Sequence, residues 1–60
     1  MPPKFTKKHY QELARMLGRT QLDEDTTQRL IRAFVEVFSD DNELFDEVRF
    51  ERLVQRERAQ

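Results

Sequence analysis

Sixty residues allow at most one domain, spanning residues 1–60, with a core small enough that burial alone stabilises it only marginally. The lack of cysteine excludes disulfides and thiolate metal sites, and a single histidine excludes a histidine metal cluster. The 11 basic and 12 acidic residues nearly balance, which argues against a nucleic-acid coat and a polybasic membrane binder.

Residues 1–5 are predicted to form an N-terminal arm, because two consecutive prolines favour extended backbone and cannot lie within a helix. The arm leads into a helix start, with Thr6 as the N-cap. Phe5 and Tyr10 flank this cap at the spacing of a hydrophobic staple. Helix 1 is therefore expected to begin directly after Thr6.

Helix 1 is predicted to run from Lys7 to Leu17. Gly18 follows as the expected C′ residue, since glycine readily takes the left-handed conformation that ends a helix. The helix has one apolar face that should turn towards the core, formed by Tyr10, Leu13, Ala14 and Leu17.

Helix 2 is predicted to begin after Asp23, whose carboxylate is a good N-cap, and to end near Ser39. Its stretch from residue 30 to residue 38 is the part of the chain around which the fold should form. The apolar arc there covers roughly 200°, against about 100° for a helix with one buried stripe. This arc consists of Leu30, Ala33, Phe34, Val37 and Phe38, widened on one flank by Ile31 and Val35. A helix of this kind needs packing partners on two sides, which predicts a central position.

Helix 3 is predicted to run from Glu47 to Arg58, with Asp46 as its N-cap. Phe45 and Phe50 repeat the staple spacing found at the start of helix 1. No segment alternates as a strand does, and no Asn-Gly turn pair is present. The sequence therefore predicts an all-α, compact three-helix domain with helix 2 central.

Three arginines of helix 3, Arg49, Arg52 and Arg56, fall within about 60° of each other on a helical wheel. We call them the arginine stripe. Like charges at this spacing repel, so something should offset them. The candidates are solvation or acidic residues across the fold, an acidic surface on another protein or a second copy, and nucleic-acid phosphate. The acidic residues in question are Glu36, Asp40, Asp41 and Glu43.

The leading interpretation is a protein-interaction module whose partner is a host protein or a second copy of the chain. A short chain without disulfides or metals can gain stability by association, so a homodimer is expected. The predicted partner surface has the arginine stripe at its rim and surplus apolar positions of helices 2 and 3 beside it. These positions are Ile31, Val35 and Val48.

The alternative is a small DNA-binding regulator of helix-turn-helix type, in which helix 3 reads the duplex. The arginine stripe would then be joined by phosphate contacts from Lys4, Lys7 and Lys8. Against this interpretation, Glu47 and Glu51 lie on the same helix. The connection before helix 3 is also longer than the usual turn of about 3–4 residues.

No constellation in the sequence predicts an enzyme, a cofactor, a metal or a small-molecule substrate. His9 lies in the first turn of helix 1 without catalytic partners and is interpreted as a surface or cap residue. An EF-hand loop starting at Asp23 would place Gln28 at its glycine position, and one starting at Asp40 would place Phe45 there. The acidic clusters are therefore interpreted as caps and turns.

Two motifs near the ends of the chain resemble those of small bacteriophage and prophage proteins of unknown activity. The first is Phe5-Thr6-Lys7-Lys8-His9-Tyr10, and the second joins Asp41-Asn42, Phe45-Asp46 and Arg49-Phe50. The resemblance covers nearly the full chain, although Glu43 stands where the group usually has proline. Val54-Gln55-Arg56 likewise replaces an ending with small residues and cysteine. The resemblance implies a phage accessory protein acting in the host cytoplasm and brings no site residues.

No apolar run approaches the ~20 residues of a membrane span, and the N-terminus lacks a signal peptide's apolar core, which also favours a cytoplasmic location.

Overall fold

A computed structural model describes residues 2–60 of the chain. Its three α-helices are α1 (Lys7–Arg19), α2 (Glu24–Asp41) and α3 (Glu47–Arg58). The described residues contain no strand, which confirms the predicted all-α, three-helix fold. α3 has the predicted bounds, whereas α1 and α2 each continue two residues beyond their predicted ends.

Each helix begins at its predicted cap residue. Asp23 accepts a hydrogen bond from the Thr26 N–H at 3.0 Å, and Asp46 accepts one from the Arg49 N–H at 3.1 Å. Thr6 is the N-cap of α1. The two aspartates each satisfy one of the N–H groups that have no acceptor within a helix's first turn.

Gly18 does not end α1 as predicted, because it lies inside the helix and is buried. A Cβ at this position would lie 2.6 Å from the Cβ of Glu57 and 2.6 Å from the carbonyl oxygen of Val54. The missing side chain therefore lets α1 and α3 approach closely. In the connection between α1 and α2, the residue with left-handed backbone conformation is instead Gln21, at φ 58°. The Gln21 side chain donates a hydrogen bond to the Gly18 carbonyl oxygen at 3.2 Å.

The core is centred on Phe38 of α2, which is 1% exposed. Its ring contacts aromatic side chains from the arm, from all three helices and from the α2–α3 connection. The centroid distances are 4.7 to 5.8 Å, to Phe5, Tyr10, Phe34, Phe45 and Phe50. Three of these contacts are edge-on, the one with Tyr10 is tilted and the one with Phe34 is stacked. Edge-on and offset-stacked arrangements are favourable for aromatic pairs, so one residue of α2 joins the aromatic side chains of the whole fold.

The predicted apolar arc of α2 is wider than the face that packs. Ala33 and Val37 are exposed, so the prediction that both face the core is wrong. Ile31, predicted on the flank of the arc, is 4% exposed and lies in the core. The packed face follows the 3.6-residue period through Ile31, Phe34 and Phe38, which turns Val37 towards solvent.

α1 and α3 run parallel, and α2 runs antiparallel to both. The rings of Tyr10 and Phe45 meet near the starts of α1 and α3, at 4.7 Å between centroids, and Gly18 meets Val54 near their ends. Phe38, near the end of α2, lies against the two helix starts. The most extensive helix packing is between α1 and α3, while α2 reaches them through large side chains.

The arm before α1 is held against the end of α2. Lys4 and Phe5 each donate a backbone N–H to the carboxylate of Asp41, at 3.0 and 3.1 Å. The Phe5 ring lies against Phe38. The last residue of the predicted arm is therefore part of the folded core.

Candidate interaction surface

The solvent-facing side of α3 carries the arginine stripe, and Arg49, Arg52 and Arg56 are all exposed. On the opposite side of the helix, Phe50 and Val54 are buried. Because residues three and four apart share a helix face, burial of that side turns the stripe outwards.

The last turn of α3 is tied to the connection between α1 and α2. Arg58 donates from Nε and Nη2 to the Leu22 carbonyl oxygen at 3.1 and 2.9 Å, and from Nη1 to Glu24 at 2.8 Å. Gln55 donates to the other carboxylate oxygen of Glu24 at 3.1 Å. These bonds and the Asp46 cap fix α3 at both ends, so its outer face has a defined orientation.

Four arginines outside the stripe have carboxylate partners. Arg15 and Arg19 lie 3.9 and 3.7 Å from Glu57. The other two pairs are Arg29–Asp25 at 3.0 Å and Arg58–Glu24 at 2.8 Å. The fold therefore pairs four of the five arginines outside the stripe with acidic side chains.

No carboxylate among residues 2–60 lies within ion-pair distance of the arginine stripe, and the same holds for Arg32. The acidic residues considered as compensation form no such pair, and Asp41 instead binds the arm. Solvent or a partner is left to offset the repulsion within the stripe.

The apolar part of the predicted partner surface is smaller than expected. Val48 is 55% exposed beside the stripe, as the prediction requires. Val35 is half-buried. Ile31 is 4% exposed and belongs to the core, so it offers almost no surface to a partner, which corrects its predicted role as a surplus apolar position. Leu44 lies in the connection after α2 and is 86% exposed. The sequence analysis did not single it out, because it belongs to no helical pattern.

An acidic groove between α2 and α3 adjoins the surface. Its cavity of about 290 Å³ is lined by Glu36, Glu47, Glu51, Arg32 and Val35, with Ile31 and Gln28. Three carboxylates face one guanidinium there, so the charge of α3 changes sign from the stripe to this groove.

The three lysines predicted to bind phosphate lie at different places on the surface. Lys4 lies beside Asp40 and Asp41 in a cavity at the end of α2. Lys7 lines a different cavity together with Arg49 of the stripe. Lys8 is exposed on α1. Only Lys7 is therefore brought to the same cavity as a stripe arginine.

The polar groups at the helix starts are engaged in capping. Nδ1 of His9 accepts a hydrogen bond from the Thr6 N–H at 3.0 Å, which places the histidine in a cap. The hydroxyl of Thr26 donates to Asp23 at 2.7 Å, and this bond, with the one from the Thr26 N–H, lowers the pKa of the Asp23 carboxyl. Both residues therefore act as caps at helix starts.

The part of the chain that the structure describes holds no group of three or more potential metal ligands. It also holds no buried side-chain polar atom without a hydrogen-bond partner. None of its helices combines the length and apolar character needed to cross a membrane. In comparisons with known proteins, no family model, curated protein or solved structure matches the chain.

Proposed function

We propose that the chain is a non-enzymatic interaction module that binds an acidic surface of another protein through the arginine stripe and Val48. The observation that carries the proposal is the pairing of the arginines. The fold pairs four of the five arginines outside the stripe with carboxylates, and the fifth, Arg32, lines the acidic groove beside three glutamates. Among residues 2–60 it provides no ion pair for the three arginines of the stripe. Because like charges at neighbouring helical positions repel, carboxylates from a partner would relieve a strain that the monomer retains.

The chemistry of arginine suits this role. One guanidinium can donate two parallel hydrogen bonds to one carboxylate, which gives both strength and orientation. Val48, at the edge of the stripe, adds an apolar contact that excludes water from such pairs.

The proposed partner is a host protein, within a phage accessory role in the host cytoplasm, or a second copy of the chain. The motif resemblance at residues 5–10 and 41–50 supports the phage role. The acidic groove supports the second copy as a partner, because its carboxylates from Glu36, Glu47 and Glu51 complement the stripe of a neighbouring chain.

The test compares the wild-type chain with Arg52→Glu and with a matched control, Arg29→Glu, which reverses one charge on α2. Light scattering measures the mass in solution, and affinity capture from bacterial lysate with quantitative mass spectrometry measures the partners. We expect Arg52→Glu to weaken association or capture about tenfold, and Arg29→Glu to change it less than about twofold. Equal behaviour of the two variants would refute the proposal.

The exposed stripe also favours a second candidate, a DNA-binding regulator in which α3 contacts the duplex. Glu47 and Glu51, on the same helix, disfavour phosphate near them. Fluorescence anisotropy of a labelled random duplex distinguishes the candidates. Binding at ~50 mM salt that collapses steeply as salt rises would support DNA, and no binding at that salt would remove it.

A further inference from the structure

A groove lies between the first turns of α1 and α3, with the α2–α3 connection at its edge. Its cavity of about 340 Å³ has apolar walls formed by Tyr10, Phe45, Phe50 and Leu53. The ring contacts of Phe45 with Tyr10 and Phe50, at 4.7 and 5.7 Å between centroids, fix the shape of these walls. The groove is therefore built from the same aromatic cluster that forms the core.

Leu44 stands at the edge of this groove and is 86% exposed. The turn holds it there, because its N–H donates to Oδ1 of Asn42 at 3.0 Å and the Phe45 N–H donates to the Asn42 carbonyl oxygen at 3.0 Å. A single exposed leucine is ordinary, but one that extends the wall of an apolar groove enlarges the surface a ligand can cover.

The rim of the groove carries a net positive charge. Lys7 and Arg49 line it, and Asp46 is the one carboxylate among the lining residues. Oδ1 of Asp46 already accepts the Arg49 N–H as the cap of α3. Because α1 and α3 are parallel, the positive ends of both helix dipoles also lie at this end of the fold.

We propose that this groove seats one apolar side chain of a protein partner, with a neighbouring carboxylate held by Lys7 and Arg49. The cavity is at the small end of the roughly 300–1,000 Å³ usual for ligand pockets, which suits one anchor side chain better than a whole helix face. The occupant is thus a short acidic segment with a leucine or aromatic anchor. This inference rests on the proposed function only in taking the partner to be an acidic protein.

Arg49 belongs to both surfaces, but other residues distinguish the two proposals. Lys7 and Leu44 line the groove and are not part of the stripe surface, whereas Arg52 belongs to the stripe and does not line the groove. Lys7→Glu and Leu44→Ser therefore test the groove, and Arg52→Glu tests the stripe. All three positions are exposed, so the variants should fold, and circular dichroism checks that they do.

The experiment titrates the ¹⁵N-labelled chain with a synthetic peptide whose central tryptophan and leucine are flanked by glutamates. We expect amide resonances of Leu44, Phe45 and Leu53 to shift. Lys7→Glu and Leu44→Ser should each weaken binding about tenfold. The matched controls, Arg29→Glu and Met16→Ser, change one exposed cation and one exposed apolar residue elsewhere and should stay within about twofold.

Two control peptides separate the contributions, one with lysine for glutamate and one with serine for the apolar residues, and both should bind at least about tenfold more weakly. Absence of any shift at millimolar peptide would overturn the groove proposal. Shifts confined to Val48, Arg52 and Arg56 would also overturn it while leaving the proposed function intact. A short duplex that shifts the groove resonances when the peptide does not would replace the protein ligand by nucleic acid.

Discussion

Gly18 sets the distance between α1 and α3, because a Cβ there would meet the Val54 carbonyl oxygen at 2.6 Å. Alanine normally stabilises a helix by about 1 kcal/mol relative to glycine. A contact with backbone cannot be relieved by a side-chain rotation, and overpacking typically costs about 1–3 kcal/mol. We therefore expect Gly18→Ala to lower the free energy of unfolding by up to about 2 kcal/mol, measured by urea unfolding with circular dichroism.

Ser39→Ala is the matched control, since Ser39 is exposed on α2 and alanine there changes helix propensity alone. It should leave stability unchanged or raise it slightly. If Gly18→Ala also raised stability, the close approach of α1 and α3 would not be required by the fold.

Asp23 gives the fold a predictable dependence on pH. Hydrogen bonds from the Thr26 hydroxyl and N–H hold the folded pKa of Asp23 below the ordinary aspartate value of about 3.9. The unfolded chain then binds the proton more readily than the folded chain. The stabilisation is complete above the ordinary value and is lost as the pH falls through the lowered one.

Thermal unfolding between neutral and strongly acidic pH tests this expectation. Asp23→Asn keeps a capping oxygen but cannot titrate, so its melting temperature should fall less steeply with acid than that of the wild type. Asp25→Asn removes a carboxylate from the same turn, with its exposed ion pair to Arg29, but leaves the cap intact. Its slope should therefore stay closer to that of the wild type than the slope of Asp23→Asn does. Identical slopes for Asp23→Asn and the wild type would assign the acid sensitivity to other carboxylates.

At the scale of helices and their connections, the first residues of the helices were predictable from the sequence. The close approach of α1 and α3 at Gly18 was not. The caps at Asp23 and Asp46 act on N–H groups three residues away, so the information is local. Gly18 is needed because of Val54 and Glu57, which lie far along the chain. A helical wheel likewise contains Ile31 and Val37 in one apolar arc and cannot tell which of them the neighbouring helices will cover.

Arg58 donates two hydrogen bonds to the Leu22 carbonyl oxygen in the α1–α2 connection and one to Glu24, the first residue of α2. We expect Arg58→Ala to lower the free energy of unfolding by about 1–3 kcal/mol, because hydrogen bonds to a charged donor are lost. Within residues 2–60, the partly buried Leu22 carbonyl oxygen would keep only the long bond from the Thr27 hydroxyl, at 3.4 Å. Arg56→Ala, two residues earlier and exposed, should change stability by less than about 0.5 kcal/mol. Urea unfolding compares them directly, and equal losses would deny Arg58 its structural role.

At the scale of the whole molecule, the candidate surfaces depend on the parallel packing of α1 and α3. This packing brings Lys7 and Arg49 to one groove although 42 positions separate them in the sequence. The three residues of the stripe were predictable, because helical spacing alone places them on one face of α3. The groove was not predictable, because no pattern in the neighbouring sequence indicates which helix starts will pack side by side.

The three arginines of the stripe repel each other and have no ion-pair partner among residues 2–60, so the stripe lowers the stability of this 60-residue chain. Arg52 has Arg49 three positions before it and Arg56 four positions after it, so Arg52→Glu turns two repulsive pairs into attractive ones. Each such pair contributes about 0.2–0.5 kcal/mol at low salt, and the gain should fade as salt screens it. Arg29→Glu breaks the pair with Asp25 and should shift stability the other way. We therefore expect Arg52→Glu to be more stable than the wild type in low-salt urea unfolding and yet to bind its partner more weakly. If stability and binding fell together, the stripe would have to be structural, and the case for a surface held ready for acidic partners would fail.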